Sequence, residues 1–430
     1  MSFLKDVSTN FIKKIVIMIA SIITSIVIAR VLGPEGKGIY AMVMLVPGML
    51  LLFGEFGITM SNIYFIGKKK IDKSVLASNS LFIGLINGVI LVSVFLIIYP
   101  FIADSVFQGV DSSYIYAILL MIPFSLTTSY LGGILVGLLK IKESCIISIV
   151  QTVINAAAIL LILLVFSGYI FELLILSIVM SISLFLFYTW YIGKLIGYVK
   201  YFSWKSFKKC FNYGSKGYLA NALTFFNYRL DMFLVNLFVG VTAVGYYSLS
   251  VGLVEMIWIV PQTISFVLFP VVSSSNKKDA AELTASSCRH SFFLSLIMCI
   301  GAFLFGRFAI EIMYGEVFLP SYLPLVALLP GVLFFSTSTL TSSYLNGIGK
   351  PIYSPIIDSI TLSINIVLNI MLIPTYGIVG AAIASSIAYS LTAFLGVYFF
   401  LKHSNISLKA VYIIQKDDLL LYINKIKGIH

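Results

Sequence analysis

The chain has 430 residues, of which 60% are hydrophobic and 10% charged, and it carries a net charge of +11. A water-soluble domain has about a quarter charged residues, so this composition excludes a soluble enzyme and predicts a protein embedded in a membrane. The positive charge is typical of contact with anionic lipid headgroups and does not indicate nucleic acid as a partner. Three scattered histidines and four cysteines in predicted membrane or cytosolic segments predict neither a metal site nor disulfides.

Apolar windows bounded by breakers predict about twelve membrane-spanning helices, because about 20 apolar residues cross a bilayer. The first run is too long for a signal peptide and has no small-residue cleavage pattern, so we expect it to be the first helix. Six helices are predicted near residues 12–33, 39–66, 77–100, 114–139, 144–166 and 170–194. Six more are predicted near residues 213–239, 244–271, 287–313, 319–347, 351–374 and 378–402.

Basic residues are concentrated at alternate ends of the predicted helices. Lysines cluster after the second helix, at 68–70, and between the sixth and seventh helices, at 205–209. Because basic segments are retained on the cytoplasmic side, we expect both termini in the cytoplasm, which requires an even number of helices. The basic and aromatic residues at 201–209 also predict an interfacial helix between the two sets.

An internal repeat relates the two sets of helices. Residues of the first six helices recur in the second six at nearly constant offsets, in the pairs Gly33/Gly240, Gly38/Gly245, Tyr40/Tyr247, Glu55/Gln262, Gly137/Gly347, Lys140/Lys350 and Asn155/Asn365. Two copies of six helices share one membrane orientation, so we expect pseudo-symmetric lobes related by an axis along the membrane normal, with a substrate cleft between them. The predicted domains are an N-lobe at 1–195, a cytoplasmic linker at 196–212, a C-lobe at 213–402 and a cytoplasmic tail at 403–430.

Several short motifs carry a family resemblance. Residues 29–40 read ARVLGPEGKGIY, and five further segments fit the same pattern: 54–57, 229–231, 245–248, 346–351 and 372–382. In order and spacing these resemble polysaccharide flippases of the Wzx type, in the MATE-like exporter superfamily. The resemblance covers nearly the whole chain, from about residue 5 to residue 402.

The resemblance implies an all-α membrane protein of the MATE-like fold in a prokaryotic plasma membrane. It implies a flippase that moves a polyprenyl-pyrophosphate-linked oligosaccharide from the cytoplasmic to the outer leaflet by alternating access, and not an enzyme. The product would supply O-antigen, capsule or a similar polymer, so a downstream polysaccharide polymerase is a candidate partner. No cofactor is implied beyond a proton or sodium gradient.

Two other functions remain open from the sequence. A cation-coupled exporter of small molecules, of the multidrug type, shares the fold. A membrane glycan polymerase or ligase is the alternative of another class, and such enzymes usually carry catalytic residues on a long outer loop. The longest predicted outer loop, near residues 101–113, has only Asp104 and Asp111 as charges, which argues against the second alternative.

Ionisable residues within the predicted spans are the first candidates for function, because a charge at mid-bilayer costs about 2.5 to 3.5 kcal/mol. Five qualify, and they are Glu55, Arg229, Asp231, Glu255 and Asp358. Polar residues accompany them at helical spacing, as in the stripe Asp358, Thr361, Asn365 and Asn369 and the equivalent stripe Ser148, Gln151 and Asn155. Lipid would reject such stripes, so we expect them to face an interior, and a hydrated central cavity is favoured over a sealed core.

Roles follow from side-chain chemistry. A pyrophosphate binds guanidinium and ammonium groups, for which the candidates are Arg229, Arg30 and Lys216. Sugar hydroxyls bind amides and aromatic faces, for which the candidates are Gln151, Asn155, Tyr228 and Asn365. Ion coupling needs a carboxylate whose pKa changes with hydration, for which the candidates are Asp231, Glu255, Asp358 and Glu55.

Structural roles compete with each of these. Arg229 could pair with Glu255 or Asp358 as a link between helices, and Arg30 could extend to the outer headgroups. Arg229 and Asp231 lie about 200° apart around one helix, so we expect one to face the interior and the other to pair with a neighbouring helix. Pro47, Pro123, Pro261 and Pro330 predict kinks within spans.

Overall fold

The computed structural model describes residues 2–166, 169–199, 201–415 and 418, with side chains from residue 12 onward except at 216, 217 and 219–221. Regular structure in these residues is helical, which confirms the predicted all-α class. The longer helices are α1 (Ser2–Glu55), α3 (Lys73–Val106), α6 (Ile141–Leu164), α7 (Ile170–Ile196), α8 (Trp204–Phe238), α11 (Lys277–Tyr314) and α14 (Tyr353–Ser404). The shorter ones are α2 (Ile58–Gly67), α4 (Ser112–Leu119), α5 (Ile122–Gly137), α9 (Val241–Glu255), α10 (Ile259–Ser274), α12 (Tyr322–Phe335), α13 (Ser338–Gly347) and α15 (Leu408–Tyr412).

In the described residues the helices pass twelve times along the predicted direction of crossing, which is the predicted number. Nine stretches are long and apolar enough to cross a membrane. Two of them each contain two passes, because α1 turns at Gly33 (φ 67°) and α14 turns at Gly377 (φ 56°), in backbone conformations that glycine tolerates best. The remaining pass is α8, which is not among these nine stretches because its polar and basic residues lower its mean hydropathy. Which end faces the cytoplasm stays a prediction.

Several passes are interrupted near their middle. The helical conformation is interrupted between α1 and α2 at Phe56 and Gly57, whose φ angles are 42° and 69°. A short 3₁₀ segment, Met256–Trp258, separates α9 from α10. Pro123 and Pro261 lie in the first turns of α5 and α10, just after such breaks, at positions where a missing backbone N–H is tolerated. Pro47 and Pro330 lie inside α1 and α12.

The chain divides into two compact units. Unit 1 comprises Met1–Ser248 with Met313–Val317, and unit 2 comprises Leu249–Ile312 with Phe318–His430. Unit 1 therefore includes α8 and the first half of α9 together with the first six passes. The predicted division into six-helix lobes stays a prediction.

Two glycine contacts hold α8 and α9 within unit 1. A Cβ on Gly57 would lie 2.3 Å from the carbonyl oxygen of Gly214, so α8 packs backbone to backbone against the α1/α2 break. A Cβ on Gly38 would lie 1.9 Å from the carbonyl oxygen of Val241. Gly245 makes the reciprocal contact, because its Cβ would lie 1.9 Å from the carbonyl oxygen of Pro34. Gly38 and Gly245 are partners in the predicted repeat, and small residues at such crossings let membrane helices approach closely.

Replacing either repeat glycine by alanine is expected to destabilise unit 1. In Gly38→Ala or Gly245→Ala the new methyl group would overlap a carbonyl that cannot rotate away, so the two helices must separate, at a cost of about 1 to 3 kcal/mol. Thermal unfolding of the detergent-solubilised protein, followed by size-exclusion chromatography, measures this. Gly252→Ala is the matched control, because Gly252 is helical and a Cβ at this position would have nothing within 4 Å. Equal midpoints for all four proteins would show that the crossing is not tightly packed.

The segment before α8 is fixed against α3. The Asn79 Nδ2 donates to the carbonyl of Ser203 (2.9 Å), and the Ser203 N–H donates to the Asn79 Oδ1 (2.9 Å). The Ser203 hydroxyl accepts the Ser206 N–H and caps the helix, so α8 begins at Trp204. The predicted interfacial helix at 201–209 is therefore the start of α8, continuous with the pass that we expected to begin near residue 213.

The described residues after α14 pack against helices of unit 2. Val411 of α15 is fully buried in a cluster with residues of α10, α11, α13 and α14. The Arg289 guanidinium donates to both carboxylate oxygens of Asp418, at 2.5 and 2.7 Å, and to the carbonyl of Ala410 at 3.3 Å. These hydrogen bonds hold the pKa of the Asp418 carboxyl at about 2, below its ordinary value of 3.8. The sequence indicated a cytoplasmic tail but did not predict that it packs against the helices.

Loss of the Asp418 charge is expected to release the tail. Asp418→Asn leaves the Arg289 guanidinium buried without its carboxylate, and breaking a buried pair costs about 3 to 5 kcal/mol. Because folding lowers the carboxyl pKa, the pair stabilises docking above pH 3.8 and its contribution is lost as the pH falls toward 2. Limited trypsin digestion at Lys409 reports release, with Asp279→Asn, an exposed α11 carboxylate, as control. Unchanged cleavage in Asp418→Asn would contradict the docking role.

Candidate functional site

Unit 1 contains a polar cavity of about 340 Å³ among its apolar helices. We call it the N-terminal cavity. Its lining comes from α1, from the segment that leads into α5, and from α5, α6 and α7, and consists of Met44, Met121, Ser125, Thr128, Gln151, Asn155, Ser177, Met180, Ser181 and Leu184. The described lining offers amides, hydroxyls and thioethers, and it includes no ionisable side chain.

Helical spacing places the polar groups on one side of each helix. Gln151 and Asn155 are four residues apart on α6, and Ser177 and Ser181 are four residues apart on α7, so each pair lines one face. The Ser125 hydroxyl of α5 hydrogen-bonds to the Ser181 hydroxyl across the cavity wall. The structure thus brings together Gln151 and Asn155, two of the residues predicted to contact sugar. Ser148 of the same predicted stripe bonds instead to the Ser144 carbonyl of its own helix.

The serines and the threonine that line the cavity were not among the site residues predicted from the sequence. Ser177 and Ser181 stand at i and i+4 in the sixth predicted helix, and Ser125 and Thr128 at i and i+3 in the fourth. This is the same spacing signal that identified Gln151 and Asn155. Hydroxyls in membrane helices often bond to their own backbone, as Ser177 does to Leu173 at 2.9 Å, so their spacing alone is a weaker signal than that of amides.

Glu55 lies at the α1/α2 break and not in the cavity lining. Its carboxylate accepts hydrogen bonds from the Thr59 hydroxyl (3.0 Å) and from the Ser129 hydroxyl of α5. The adjacent Gly54 carbonyl accepts from the Tyr130 hydroxyl (2.5 Å) and from the Asn87 amide (2.9 Å). These contacts tie the broken backbone to α3 and α5, which is a structural task. A coupling role for Glu55 stays a prediction.

Asp231 on α8 is almost fully buried, with 1% of its surface exposed. Its carboxylate accepts the Tyr247 hydroxyl of α9 at 2.5 Å and the Met232 N–H at 2.8 Å. Tyr247, the repeat partner of Tyr40, was not predicted as a ligand of this carboxylate. Tyr228 and Arg229 are half-buried on the same helix. The Lys216 side chain lies outside the described residues, and its headgroup role stays a prediction.

Three of the four residues in the predicted polar stripe of α14, which lies in unit 2, are buried, and Asp358 is half-buried. Thr361, Asn365 and Asn369 are each at most 1% exposed, and the Asn369 Nδ2 donates to the Asn365 carbonyl at 2.9 Å. The stripe has the predicted register, but these three side chains have almost no surface open to water. Asn155, the repeat partner of Asn365, does line a cavity, so the two halves differ in this respect. Roles for Asn365, Asp358 and Glu255, the last residue of α9, stay predictions.

Arg30 and Lys37, the basic residues on either side of the turn at Gly33, both donate hydrogen bonds within the protein. The Arg30 Nε donates to the carbonyl of Met313 at 2.8 Å, and Arg30 is exposed. Lys37, four residues after Gly33, is only 8% exposed and donates to the Ser25 hydroxyl at 3.0 Å. Its burial follows from the turn at Gly33, which folds the start of the second pass back against the first. A headgroup role for Arg30 stays a prediction.

Solved structures define the class of protein that this architecture represents. The chain superposes on the lipid II flippase MurJ in its inward closed conformation with a TM-score of 0.75, over 97% of this chain and 92% of that one, at 19% identity. An inward-facing multidrug resistance MATE transporter of the MOP superfamily gives 0.68, over 90% and 94%, at 15% identity. The protein is therefore a multi-pass membrane protein with a MATE-like fold.

The family follows from the sequence match. The chain belongs to the polysaccharide biosynthesis protein family, whose model matches residues 27–323. It is 25% identical over 390 residues to a Shigella flexneri protein described as a putative O-antigen transporter, covering 86% of this chain and 90% of that protein. It is 22% identical over 375 residues to a Haloferax volcanii protein described as a probable flippase of low-salt glycan biosynthesis, covering 86% and 78%. The resemblance predicted from the short motifs is confirmed.

Proposed function

We propose that this protein is a flippase that moves a polyprenyl-pyrophosphate-linked oligosaccharide from the cytoplasmic to the outer leaflet of a prokaryotic plasma membrane. The observation that carries the proposal is the N-terminal cavity, where uncharged hydrogen-bonding side chains gather among helices that are otherwise apolar. The family and the described roles of the relatives, O-antigen transport and glycan flipping, support it. The activity is transport by alternating access and involves no covalent step.

The chemistry of the cavity favours sugar over a cationic drug. Gln151 and Asn155 each offer both donors and acceptors, and the lining hydroxyls do the same, which matches the mixed requirements of sugar hydroxyls. An organic cation is best held by a carboxylate or by aromatic faces. Among the described lining residues there are neither, and the nearby Glu55 carboxylate already accepts two hydroxyl hydrogen bonds.

The headgroup and the driving force need separate groups. Arg229 is the first candidate for the pyrophosphate, with Arg30 and Lys216 as further candidates, because a guanidinium binds phosphate oxygens in pairs. Asp231, Glu255, Asp358 and Glu55 are the candidate coupling groups for a proton or sodium gradient. The polyprenyl chain stays in lipid throughout, so only the polar part of the substrate needs a path through the protein.

Ligand-induced stabilisation tests the proposal. The purified protein is expected to unfold at a higher temperature with a polyprenyl-pyrophosphate oligosaccharide than with the same lipid lacking sugar, because only the former fills the cavity. Asn155→Ala is expected to remove most of that difference and to leave the effect of the sugar-free lipid unchanged. Stabilisation by organic cations, together with no response to the glycan lipid, would favour the multidrug-type alternative instead.

A further inference from the structure

A second concave site in unit 1 differs chemically from the N-terminal cavity. It is a groove of about 520 Å³ formed by the α1/α2 break, α3 and the start of α8. Its lining is almost entirely apolar and consists of Phe56, Ile58, Phe82, Ile83, Ile86, Asn87, Ile90, Phe202, Trp204, Phe207 and Phe211. We call it the lateral groove.

The walls of the lateral groove are ordered by packing. Phe82, Ile86 and Ile90 follow one another at four-residue intervals along α3, and all three are largely exposed. On the opposite wall, the rings of Trp204 and Phe207 lie 5.1 Å apart. The Asn79–Ser203 hydrogen bonds fix the start of α8 against α3, so the groove exists before any ligand enters.

The lining restricts the ligand to a hydrocarbon chain. Asn87 is the one amide in the described lining, and its Nδ2 already donates to the Gly54 carbonyl at 2.9 Å. A peptide in this groove would bury backbone N–H and C=O groups without partners, which costs several kcal/mol for each group in an apolar medium. A lipid chain has no such groups.

One of three lysines at the start of α8 lies beside the groove. Lys205, Lys208 and Lys209 are exposed on the first two turns of the helix. With 100° per residue, Lys208 lies about 70° around the helix from the middle of the face that carries Trp204, Phe207 and Phe211, whereas Lys205 and Lys209 lie about 130° and 170° from it. A molecule with its chain in the groove could therefore place an anionic headgroup against Lys208, next to Trp204, a side chain that prefers the headgroup level of a membrane.

We propose that the lateral groove and Lys208 bind an anionic membrane phospholipid, with one acyl chain in the groove and the phosphate on the Lys208 ammonium group. The stretch of α3 from Phe82 to Ile90 is about 12 Å long. That length is close to the hydrocarbon depth of one leaflet, about 15 Å, so the groove matches an acyl chain confined to one leaflet better than a long polyprenyl chain. The site is independent of the proposed transport function.

Native mass spectrometry of the delipidated full-length protein tests this site with phosphatidylglycerol and phosphatidylcholine as probes. We expect phosphatidylglycerol to bind with clear preference. The variant Lys208→Gln is expected to weaken phosphatidylglycerol binding about fivefold, which corresponds to the attraction of one lysine for an anionic headgroup. Ile86→Trp, which fills the groove, is expected to weaken binding of both lipids.

The variant Lys209→Gln is the matched control, because it removes the same charge from an exposed lysine on the side of α8 away from the groove. It is expected to keep the preference for phosphatidylglycerol. Equal losses in Lys208→Gln and Lys209→Gln would overturn the proposal, since the effect would then be one of net charge. Displacement of phosphatidylglycerol by an equal concentration of polyprenyl phosphate would also overturn it and would assign the groove to the substrate chain.

Discussion

Asn155→Trp is expected to abolish export of the lipid-linked oligosaccharide while the protein still inserts and folds. Asn155 lines the N-terminal cavity of about 340 Å³, and an indole there would occupy space that the sugars need. It would also remove an amide that can pair with sugar hydroxyls. We expect the transport rate to fall to background, and surface polysaccharide to disappear when the variant replaces the natural gene.

Val153→Trp provides the control for Asn155→Trp. Val153 is exposed on the same helix, two residues away and therefore on nearly the opposite side, about 200° around the axis. A tryptophan at this lipid-facing position is expected to leave export unchanged. Surface expression and a monodisperse size-exclusion profile verify folding of both variants. Full export by Asn155→Trp would mean that the cavity is not on the substrate path.

Arg229→Ala is expected to cause the second large loss. If the guanidinium binds the pyrophosphate through two charge-assisted hydrogen bonds, their removal costs about 3 kcal/mol or more, which is roughly a hundredfold or more in affinity. Arg229→Lys keeps the charge but not the paired geometry, so we expect an intermediate loss. Binding of the glycan lipid in detergent and export in cells are the two measurements.

The two roles considered for Arg229 give different results in this experiment. A link between helices predicts that Arg229→Ala lowers the unfolding temperature and the amount of folded protein. A headgroup role predicts weaker binding at unchanged thermal stability. Arg307→Ala, at an exposed arginine in the second unit, controls for the loss of one positive charge. Full complementation by Arg229→Ala would refute the headgroup role.

The pass count was predictable because it depends on local composition. Apolar windows and glycine turns located all twelve passes, including the two pairs that run on through Gly33 and Gly377. The α8 pass, predicted near residues 213–239 from the same windows, has too many polar residues to count among the nine candidate spans of the described residues. The repeat also identified Gly38 and Gly245, whose mutual contact the structure then revealed.

Contacts between distant segments were not predictable in the same way. The helical period places Asn155 and Asn365 on equivalent polar stripes, but whether a stripe meets space or another helix depends on the neighbouring side chains. Asn155 meets a cavity, whereas Asn365 is 1% exposed. The pairing of Arg289 with Asp418 joins residues far apart in sequence, and no periodic pattern connects them. Burial of Lys37 depends on the fold-back at Gly33 in the same way.

Transfer of substrate between leaflets can be measured with the purified protein in proteoliposomes that contain a fluorescent polyprenyl-pyrophosphate oligosaccharide. We predict that the wild-type protein moves the labelled lipid to the opposite leaflet far faster than protein-free vesicles do, and that Asn155→Trp does not. Absence of transfer by the wild-type protein, beside rapid efflux of a cationic dye from the same vesicles, would contradict the proposed function and assign the cavity to small-molecule export.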